Sequence, residues 1–300
     1  MRIIRADKKY LLWLLAAAAL ILALMSLPVH AGAFRWTVTS YPDASGNQGM
    51  FYTIYNDSTG ELIVVDGGWS ENVPQVRAAI AACGNEVDAW ILTHYHNDHV
   101  DAFNAIYEDP QGIRIRRIYA SPMDEKLYQK VAKSWDYPEY YQKFLSLTKN
   151  DDRLVYVQRD DSFKMSGLSV TFYNTYDDTL LDVVGKSDLP NNGSLVFKMS
   201  GEEESFLFLG DAHDRQLGNY LLKTYRNELD ATYVQAGHHG NNSMPEVFYQ
   251  ELAPKYMVFD APEWLMTGDN YTAKKLAAWC AERGIQTFDF RTGPNSFIIK

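Results

Sequence analysis

Alternating hydrophobic and polar positions open the globular part of the chain and then give way to continuous apolar runs. Residues 35–41 (RWTVTSY) and 50–56 (MFYTIYN) alternate with a period of two, which predicts half-buried strands. Residues 61–68 (ELIVVDGG) are an apolar strand that ends at a Gly-Gly break. Residues 70–84 repeat their apolar positions at helical spacing. A group of strands is therefore followed by a helix.

The same alternation of strand and helix patterns continues to the end of the chain. Further strands are predicted at 88–94, 115–121, two within 154–175, a hairpin at 194–211, and single strands at 231–237, 255–261, 286–290 and 296–300. Further helices are predicted at 99–109, within 122–150, at 216–229 and at 270–284. Two sheets packed face to face, with helices outside, would bury these apolar faces. We therefore predict an α+β fold in one domain, residues 32–300.

Residues 1–31 have the pattern of a secretory signal peptide. A basic start is followed by an apolar run over 11–27 and a small-x-small cleavage site at 29–31. The apolar run of 17 residues is long for such a segment and just short of the roughly 20 that span a bilayer, so an uncleaved anchor is the alternative. Both outcomes predict a body that is secreted or anchored on the outer side of the cytoplasmic membrane.

The charge balance argues against a polyanionic partner. Without residues 1–31, which carry four basic side chains and Asp7, the chain has 24 basic and 37 acidic side chains, a net charge of −13. Such a surface repels nucleic acids at long range. The densest basic stretch, 114–117, is only a short strand-like run. We therefore expect no nucleic-acid partner, and membrane contact only through the N-terminal segment if it remains uncleaved.

Metal-type ligands concentrate where predicted strands end. One strand ends at Asp66, the next is followed by THYHNDHVDA (93–102), a third ends at Asp211, and a fourth is followed by His238-His239. Chemical sites in layered α/β folds collect at strand ends. The two cysteines, Cys83 and Cys280, lack the spacing of a metal site. We expect them to be buried thiols on separate helices, with a disulfide as the alternative.

Histidine and aspartate without thiolate suit Zn²⁺, Mn²⁺ or Fe. His94 and His96 can converge on one ion from a bent backbone, whereas Asp98 and His99 point to the other side and suit a second ion. A carboxylate such as Asp211 can bridge two ions, and ions roughly 3.5–4 Å apart can hold a hydroxide between them. Taken alone, Asp98 fits a helix cap and His-x-His a surface feature; the combination predicts a metal site.

The segments VVDGG, THYHNDHVDA, FLFLGD and AGHHG, in this order, resemble the metallo-β-lactamase-fold hydrolase superfamily. The resemblance spans residues 35–300 and implies a four-layer αβ/βα sandwich with a binuclear metal site, Zn²⁺ being the expected ion. It implies the following roles: His94 and His96 on the first ion, Asp98 and His99 on the second, Asp211 bridging, one histidine of the His238-His239 pair completing the second, and Asp66 orienting the His loop (93–99). We favour His238 because it comes first after the strand, although the sequence does not settle the choice. Asp98 and Asp211 are the expected catalytic residues.

One position departs from the superfamily pattern. Many members supply another histidine to the first metal, but this chain has no histidine from 100 to 212. The segment NNGSLVF (191–197) stands there instead and resembles the subgroup with the ComEC hydrolase domain and phosphorylcholine esterases. Asn191 or Asn192 is then expected to bind the first metal or the substrate.

These observations predict a secreted, metal-dependent hydrolase that uses a metal-bound hydroxide to cleave a small-molecule or head-group phosphodiester. A lactone or ester hydrolase of the same fold is one alternative, and a non-catalytic metal-binding module is another. Four aromatic residues either wall the cleft or pack an inserted helix against the body: Trp135, Tyr137, Tyr140 and Tyr141.

Overall fold

The structure is a computed structural model that describes residues 34–300, which form one compact unit. The expected signal peptide, residues 1–31, lies outside the described residues. Within the described part of the chain, no helix combines the length and apolar character needed to cross a membrane.

Two seven-stranded sheets dominate the fold, and a separate pair of strands lies beside them. The strands are β1 (Trp36–Ser40), β2 (Phe51–Tyr55), β3 (Leu62–Asp66), β4 (Glu86–Val87), β5 (Ala89–Leu92), β6 (Arg114–Ile115), β7 (Ile118–Ala120), β8 (Leu154–Tyr156), β9 (Ser162–Met165), β10 (Leu168–Asn174), β11 (Val196–Ser200), β12 (Ser205–Phe208), β13 (Tyr233–Gln235), β14 (Tyr256–Val258), β15 (Gln286–Phe288) and β16 (Asn295–Ile299). The first sheet has the order β16-β1-β2-β3-β5-β7-β8, the second β15-β14-β13-β12-β11-β10-β9, and β4 pairs with β6.

Helices cover the outer faces of both sheets. They are α1 (Val73–Ala82), α2 (Asn97–Glu108), α3 (Glu125–Val131), α4 (Glu139–Leu147), α5 (Asp178–Val184), α6 (Leu189–Asn192), α7 (Arg215–Leu229), α8 (Glu246–Leu252), α9 (Glu263–Thr267) and α10 (Ala273–Glu282), with 3-10 turns at Ser70–Asn72, Gly237–Gly240 and Phe290–Thr292. The layers run helix, sheet, sheet, helix, which confirms the predicted four-layer sandwich.

The continuous apolar run of β3 is explained by burial on both of its faces. Leu62 and Val64 pack among the residues that face the helices, whereas Ile63 and Val65 pack in the cluster between the sheets. Side chains of the two sheets meet in that inner cluster, where Tyr52 and Phe206 make an edge-to-face contact at 6.0 Å. Each such buried side chain contributes about 1.5–3 kcal/mol relative to exposure.

Several local predictions were wrong. The strand predicted over 115–121 is split between β6 and β7, which belong to different sheets. The stretch 154–175 holds three strands instead of two, because β8 ends the first sheet and the chain then crosses to β9 and β10 of the second. The helices α5, α6, α8 and α9 had not been predicted. Both cysteines are free thiols, as expected, but only Cys280 is buried within a helix, whereas Cys83 is partly buried just past the end of α1.

Candidate metal centre

Parallel pairing brings the four ligand-bearing strand ends together in pairs. β3 runs parallel to β5 in the first sheet, and β12 runs parallel to β13 in the second. Asp66 and the His loop therefore emerge at one sheet edge, and Asp211 and the His238-His239 turn emerge at another. Helix α2 starts at Asn97 without a side-chain cap. Asp98 consequently does not act as an N-cap, and its carboxylate is free for the site.

Asp66 holds the His loop (93–99) in place through hydrogen bonds to its carboxylate. Its buried carboxylate accepts hydrogen bonds from the Thr93 amide at 2.7 Å, the Thr93 hydroxyl at 2.6 Å and His99 Nδ1 at 2.7 Å. Asp66 itself has a left-handed backbone, with φ 51°, a conformation that costs about 1–2 kcal/mol for a residue with a Cβ. Because His99 donates through Nδ1, its Nε2 lone pair is directed away from Asp66, toward the cleft.

His94 and His96 present two converging nitrogen atoms. His94 Nε2 lies 3.1 Å from His96 Nδ1. The opposite nitrogens are engaged elsewhere, because His94 Nδ1 lies 3.2 Å from the Thr93 hydroxyl and His96 Nε2 lies 3.2 Å from Asp136 Oδ1. Since Thr93 donates its hydroxyl proton to Asp66, it accepts from His94 Nδ1. Two lone pairs then face each other at a spacing near the roughly 3.3 Å between ligand nitrogens of a tetrahedral zinc ion.

A second set of donors surrounds Asp211. His99 Nε2 lies 3.3 Å from Asp211 Oδ1 and 3.9 Å from Asp98 Oδ1. His239 Nε2 lies 3.2 Å from Asp98 Oδ2 and 3.5 Å from Asp211 Oδ2. His94 Nε2 approaches the same Asp211 oxygen at 3.9 Å. Asp211 thus lies between the His94 side and the His239 side, as a bridging ligand would.

His239, and not the favoured His238, joins these donors. Both residues have left-handed backbones, with φ 52° and 55°, and the turn therefore sends their side chains in different directions. His238 Nδ1 lies 2.6 Å from the Asn241 carbonyl, and its Nε2 remains 4.0 Å from Asp211. His239 Nδ1 donates to the Asp260 carbonyl at 3.0 Å, which turns its Nε2 to the carboxylates. The geometry therefore corrects the expectation for His238.

The electrostatics of the site favour a cation. Burial works to lower the pKa of His99, but the Asp211, Asp98 and Asp66 carboxylates outweigh it and hold this pKa well above its usual value. Burial likewise opposes charge on His239, yet Asp211 and Asp98 raise its pKa to about 10. The pKa of Asp211 lies well below its ordinary value despite burial, because His239 and His99 are adjacent. These buried carboxylates require compensating positive charge.

The donor set fits metal ions. Among the described residues, His99 Nε2, His239 Nε2 and Asp211 Oδ1 are buried and have no hydrogen-bond partner. Unsatisfied buried groups of this kind are uncommon and call for an explanation. Two groups of ligand atoms, each within 4.8 Å of one another, share His99: His94 with His99 and Asp211, and Asp98 with His99 and His239. Imidazole and carboxylate donors in this arrangement suit divalent ions.

The two asparagines of the NNGSLVF segment differ in role. Asn192 is saturated, since its Oδ1 accepts from the amides of His213 at 3.1 Å and Asp214 at 2.9 Å, and its Nδ2 donates to a backbone carbonyl. Asn192 therefore shapes the loop after Asp211 and does not face a ligand. Asn191 lines the cleft, donates to Asp188 at 3.3 Å, and keeps its buried Oδ1 without a partner among the described residues.

A cleft of about 530 Å³ opens onto the donors. The aromatic residues divide between the two alternatives: Trp135 and Tyr137 line the cleft and are 59% and 45% exposed, whereas Tyr141 is buried beneath. Tyr140 packs partly buried against the core. Lys133 also lines the cleft, with its Nζ 3.6 Å from Asp188, so the wall combines apolar surface with Lys133 and with carboxylates.

Some site residues had been missed. Asp260 lies two residues after the end of strand β14, so it repeats the signal of a polar residue near a strand end and could have been found. Thr93 adjoins the His string but has no distinctive pattern. Asp136 bonds to His96 from a segment 40 residues away, and nothing in the local sequence marks it. His213, one of the six histidines of residues 32–300, lines the cleft and stacks on His238 with ring centroids 5.0 Å apart.

The fold and site define the class of protein. A sequence model described as Metallo-beta-lactamase superfamily matches residues 46–215, more than half of the chain. The chain belongs to this superfamily. No curated protein matches it significantly.

Solved structures share the fold at low sequence identity. YhfI, a metallo-beta-lactamase fold protein from Bacillus subtilis, is 14% identical with a TM-score of 0.53, covering 88% of this chain and 99% of YhfI. Unliganded yeast PDE1 is 12% identical with a TM-score of 0.52, covering 88% of this chain and 99% of PDE1. CmlA, a diiron beta-hydroxylase from Streptomyces venezuelae, is 12% identical with a TM-score of 0.52, covering 87% of this chain and 54% of CmlA. These likenesses show the fold alone.

Proposed function

We propose that the chain is a metal-dependent hydrolase that holds two divalent ions, Zn²⁺ in the first instance, and cleaves a phosphodiester. The observations that carry the proposal are the two donor groups that share His99 beside one cleft, and the approach of His96 Nδ1 to His94 Nε2 at 3.1 Å. Ions held there would supply Lewis acidity, lowering the pKa of water and stabilising charge on attacking and leaving oxygens. His94 and His96 would hold the first ion, Asp98, His99 and His239 the second, and Asp211 both.

The residues around the ions define what the chain itself contributes. Asp98 lines the cleft, so its carboxylate is placed to orient an attacking water through a hydrogen bond. Lys133 can pair with a non-bridging phosphoryl oxygen, and Asn191 Oδ1 can accept a hydrogen bond from a substrate hydroxyl or amine. Trp135 and Tyr137 offer apolar faces to the rest of the substrate.

The substrate class follows from the cleft and from the charge. A volume of about 530 Å³ suits a small molecule or a head group, and the acidic surface disfavours long polyanions. The NNGSLVF segment supports membership of the subgroup with ComEC-type and phosphorylcholine-esterase domains, and yeast PDE1 is a fold relative whose name denotes a phosphodiesterase. We further propose that the enzyme acts outside the cytoplasmic membrane, secreted or anchored by its N-terminal segment.

The test combines metal content with a substrate pair. Purified protein is assayed for metal per chain by mass spectrometry, before and after Zn²⁺ or Mn²⁺ loading, and then for hydrolysis of bis-p-nitrophenyl phosphate and p-nitrophenyl acetate. We expect two ions per chain and cleavage of the diester, both lost in Asp211→Ala. Cleavage of the acetate alone would replace the proposal by an ester hydrolase. Two bound ions without turnover of either compound or of a wider ester panel would favour a metal-binding module.

A further inference from the structure

Asp136 is a buried carboxylate in the segment that joins helices α3 and α4. It is 1% exposed. Its Oδ1 lies 3.2 Å from His96 Nε2, its Oδ2 accepts from the Lys133 amide at 2.6 Å, and its backbone carbonyl accepts from the Tyr128 hydroxyl at 2.7 Å. Both carboxylate oxygens are thus engaged, and the turn that carries them is tied to helix α3.

The contact with His96 selects one imidazole tautomer. An ionised carboxylate only accepts hydrogen bonds, so His96 must donate through Nε2. Its Nδ1 is then the unprotonated nitrogen, and this is the atom that lies 3.1 Å from His94 Nε2. In the opposite tautomer, a lone pair would face the carboxylate and a proton would occupy the space between the two histidines.

The first metal position depends strongly on this arrangement because it has few donors. No histidine occurs between 100 and 212, so His94, His96 and Asp211 are its protein ligands in the proposed assignment. At the second metal position, Asp66 sets the tautomer of His99 through its contact with Nδ1. Partners that hold the remote nitrogen of a ligating histidine fix its orientation and raise its basicity.

We propose that Asp136 is the positioning residue of the first metal site, holding His96 with Nδ1 directed to the ion, as Asp66 holds His99 at the second. The inference rests on the proposed function, because it places a metal ion between His94 and His96. It adds that the segment 132–138, which also carries Trp135 and Tyr137 of the cleft wall, belongs to the metal centre.

The test measures stepwise metal affinity and the His96 tautomer, not turnover. Zn²⁺ is titrated against a chromophoric chelator for wild type, Asp136→Ala, Asp136→Asn and Tyr128→Phe, and ring-¹⁵N NMR of the Zn²⁺ form reports which His96 nitrogen is protonated. We expect Asp136→Ala to weaken one ion about 10–100-fold while leaving the other within a few-fold, and to lose the uniform Nε2–H state. Asp136→Asn should fall between, because one amide oxygen cannot serve both His96 and Lys133.

Tyr128→Phe is the matched control, since it releases the same turn without altering the carboxylate. Its metal affinities should stay within about twofold of wild type. Wild-type affinities in both Asp136 variants would overturn the positioning role, as would an equal loss in Tyr128→Phe, which would make Asp136 merely a support for the turn. If Asp136→Ala fails to fold, the Asp136→Asn titration still decides. Wild type that binds no ion would instead overturn the proposed function and this inference with it.

Discussion

At the scale of single residues, backbone conformation decides which of two adjacent histidines reaches the metal centre. We predict that His239→Ala loses one ion per chain, because His239 Nε2 lies 3.2 Å from Asp98 and 3.5 Å from Asp211. His238→Ala should keep both ions, because His238 Nε2 is no closer than 4.0 Å to Asp211 and its ring bonds to the Asn241 carbonyl. Mass spectrometry measures the number of metal ions per chain in each variant, and the two values are compared with that of wild type.

The two variants serve as controls for each other, since they alter the same turn. Circular dichroism should show that both retain the fold. Loss of an ion from His238→Ala, with two ions retained in His239→Ala, would restore His238 as the ligand, the choice favoured from its position after the strand.

At this scale, residue types and their spacing were enough to predict most residues of the candidate site. His94, His96, Asp98, His99 and Asp211 were named from a string of ligands and from strand ends. The choice between His238 and His239 could not be made, because it depends on φ angles near +50° that two histidines adopt in succession and that propensity does not indicate. The role of Asp136 could not be predicted from the sequence, because its contact with His96 arises only from tertiary packing.

At the scale of elements, the end of β12 must come very close to its neighbours to place Asp211. Gly210 has φ 53°, and a Cβ there would lie 2.9 Å from Ser194 Cβ and 3.0 Å from Thr93 Cβ. We predict that Gly210→Ala destabilises the protein by about 2–5 kcal/mol, from a left-handed penalty of about 1–2 kcal/mol and overpacking of about 1–3 kcal/mol. Urea unfolding measures the change.

Gly60→Ala isolates the steric part of this effect. Gly60 also has a left-handed backbone, with φ 77°, but a Cβ there meets nothing within 4 Å. We expect Gly60→Ala to be destabilised only by the left-handed backbone penalty and to keep its metal. Equal destabilisation by the two substitutions would show that the contacts with Ser194 and Thr93 are not limiting.

A second element-scale prediction concerns the joint between helix α2 and strand β8. Arg153 bonds to Asp151 at 2.8 Å and to the Tyr107 hydroxyl at 3.0 Å. The hydrogen bond from Arg153 lowers the pKa of Asp151 from 3.8 to about 2. A lowered folded-state pKa adds stability that is complete above the unfolded value and is lost as the pH falls through the folded value. The window therefore runs from about pH 4 down to about pH 2.

Asp151→Asn should lower the free energy of unfolding by about 1 kcal/mol at pH 7, a figure reduced for solvent screening of a partly exposed pair. The difference from wild type should narrow as the pH falls below 4. Asp152→Asn, at an exposed neighbouring position, is the control and should leave the urea midpoint at pH 7 close to that of wild type. Urea midpoints at pH 7, 4 and 3 test this, and a constant difference across that range would contradict it.

Element types were predicted well where a pattern was long and poorly where it was short. Helix α7 spans several turns of its pattern, and strands β1 and β2 lie in alternating stretches, whereas α8 and α9 have seven and five residues, too few for helical periodicity to distinguish them from loops. The transfer of the chain from the first sheet at β8 to the second at β9 was missed, because sheet membership follows from pairing partners and not from local sequence.

At the scale of the whole molecule, the candidate metal centre draws its donors from both sheets. His94, His96, Asp98 and His99 follow β5 of the first sheet, whereas Asp211 and His239 follow strands of the second. Ions bound between them would tie the layers together only in the folded state, because the unfolded chain separates the ligands. Metal binding is therefore expected to stabilise the entire fold and not only the cleft.

We predict that removal of metal by a chelator lowers the Tm and that Zn²⁺ restores it. At a free Zn²⁺ concentration about 100 times the Kd, mass action adds about 2.7 kcal/mol, which corresponds to roughly 5–10 °C at about 2–4 °C per kcal/mol. Differential scanning calorimetry of the chelated and reloaded protein measures the shift. Asp211→Ala should reduce it sharply because Asp211 contacts donors of both groups, whereas Asp151→Asn should retain it. A Tm that is the same with and without Zn²⁺ in wild type would mean that the ions do not join the sheets.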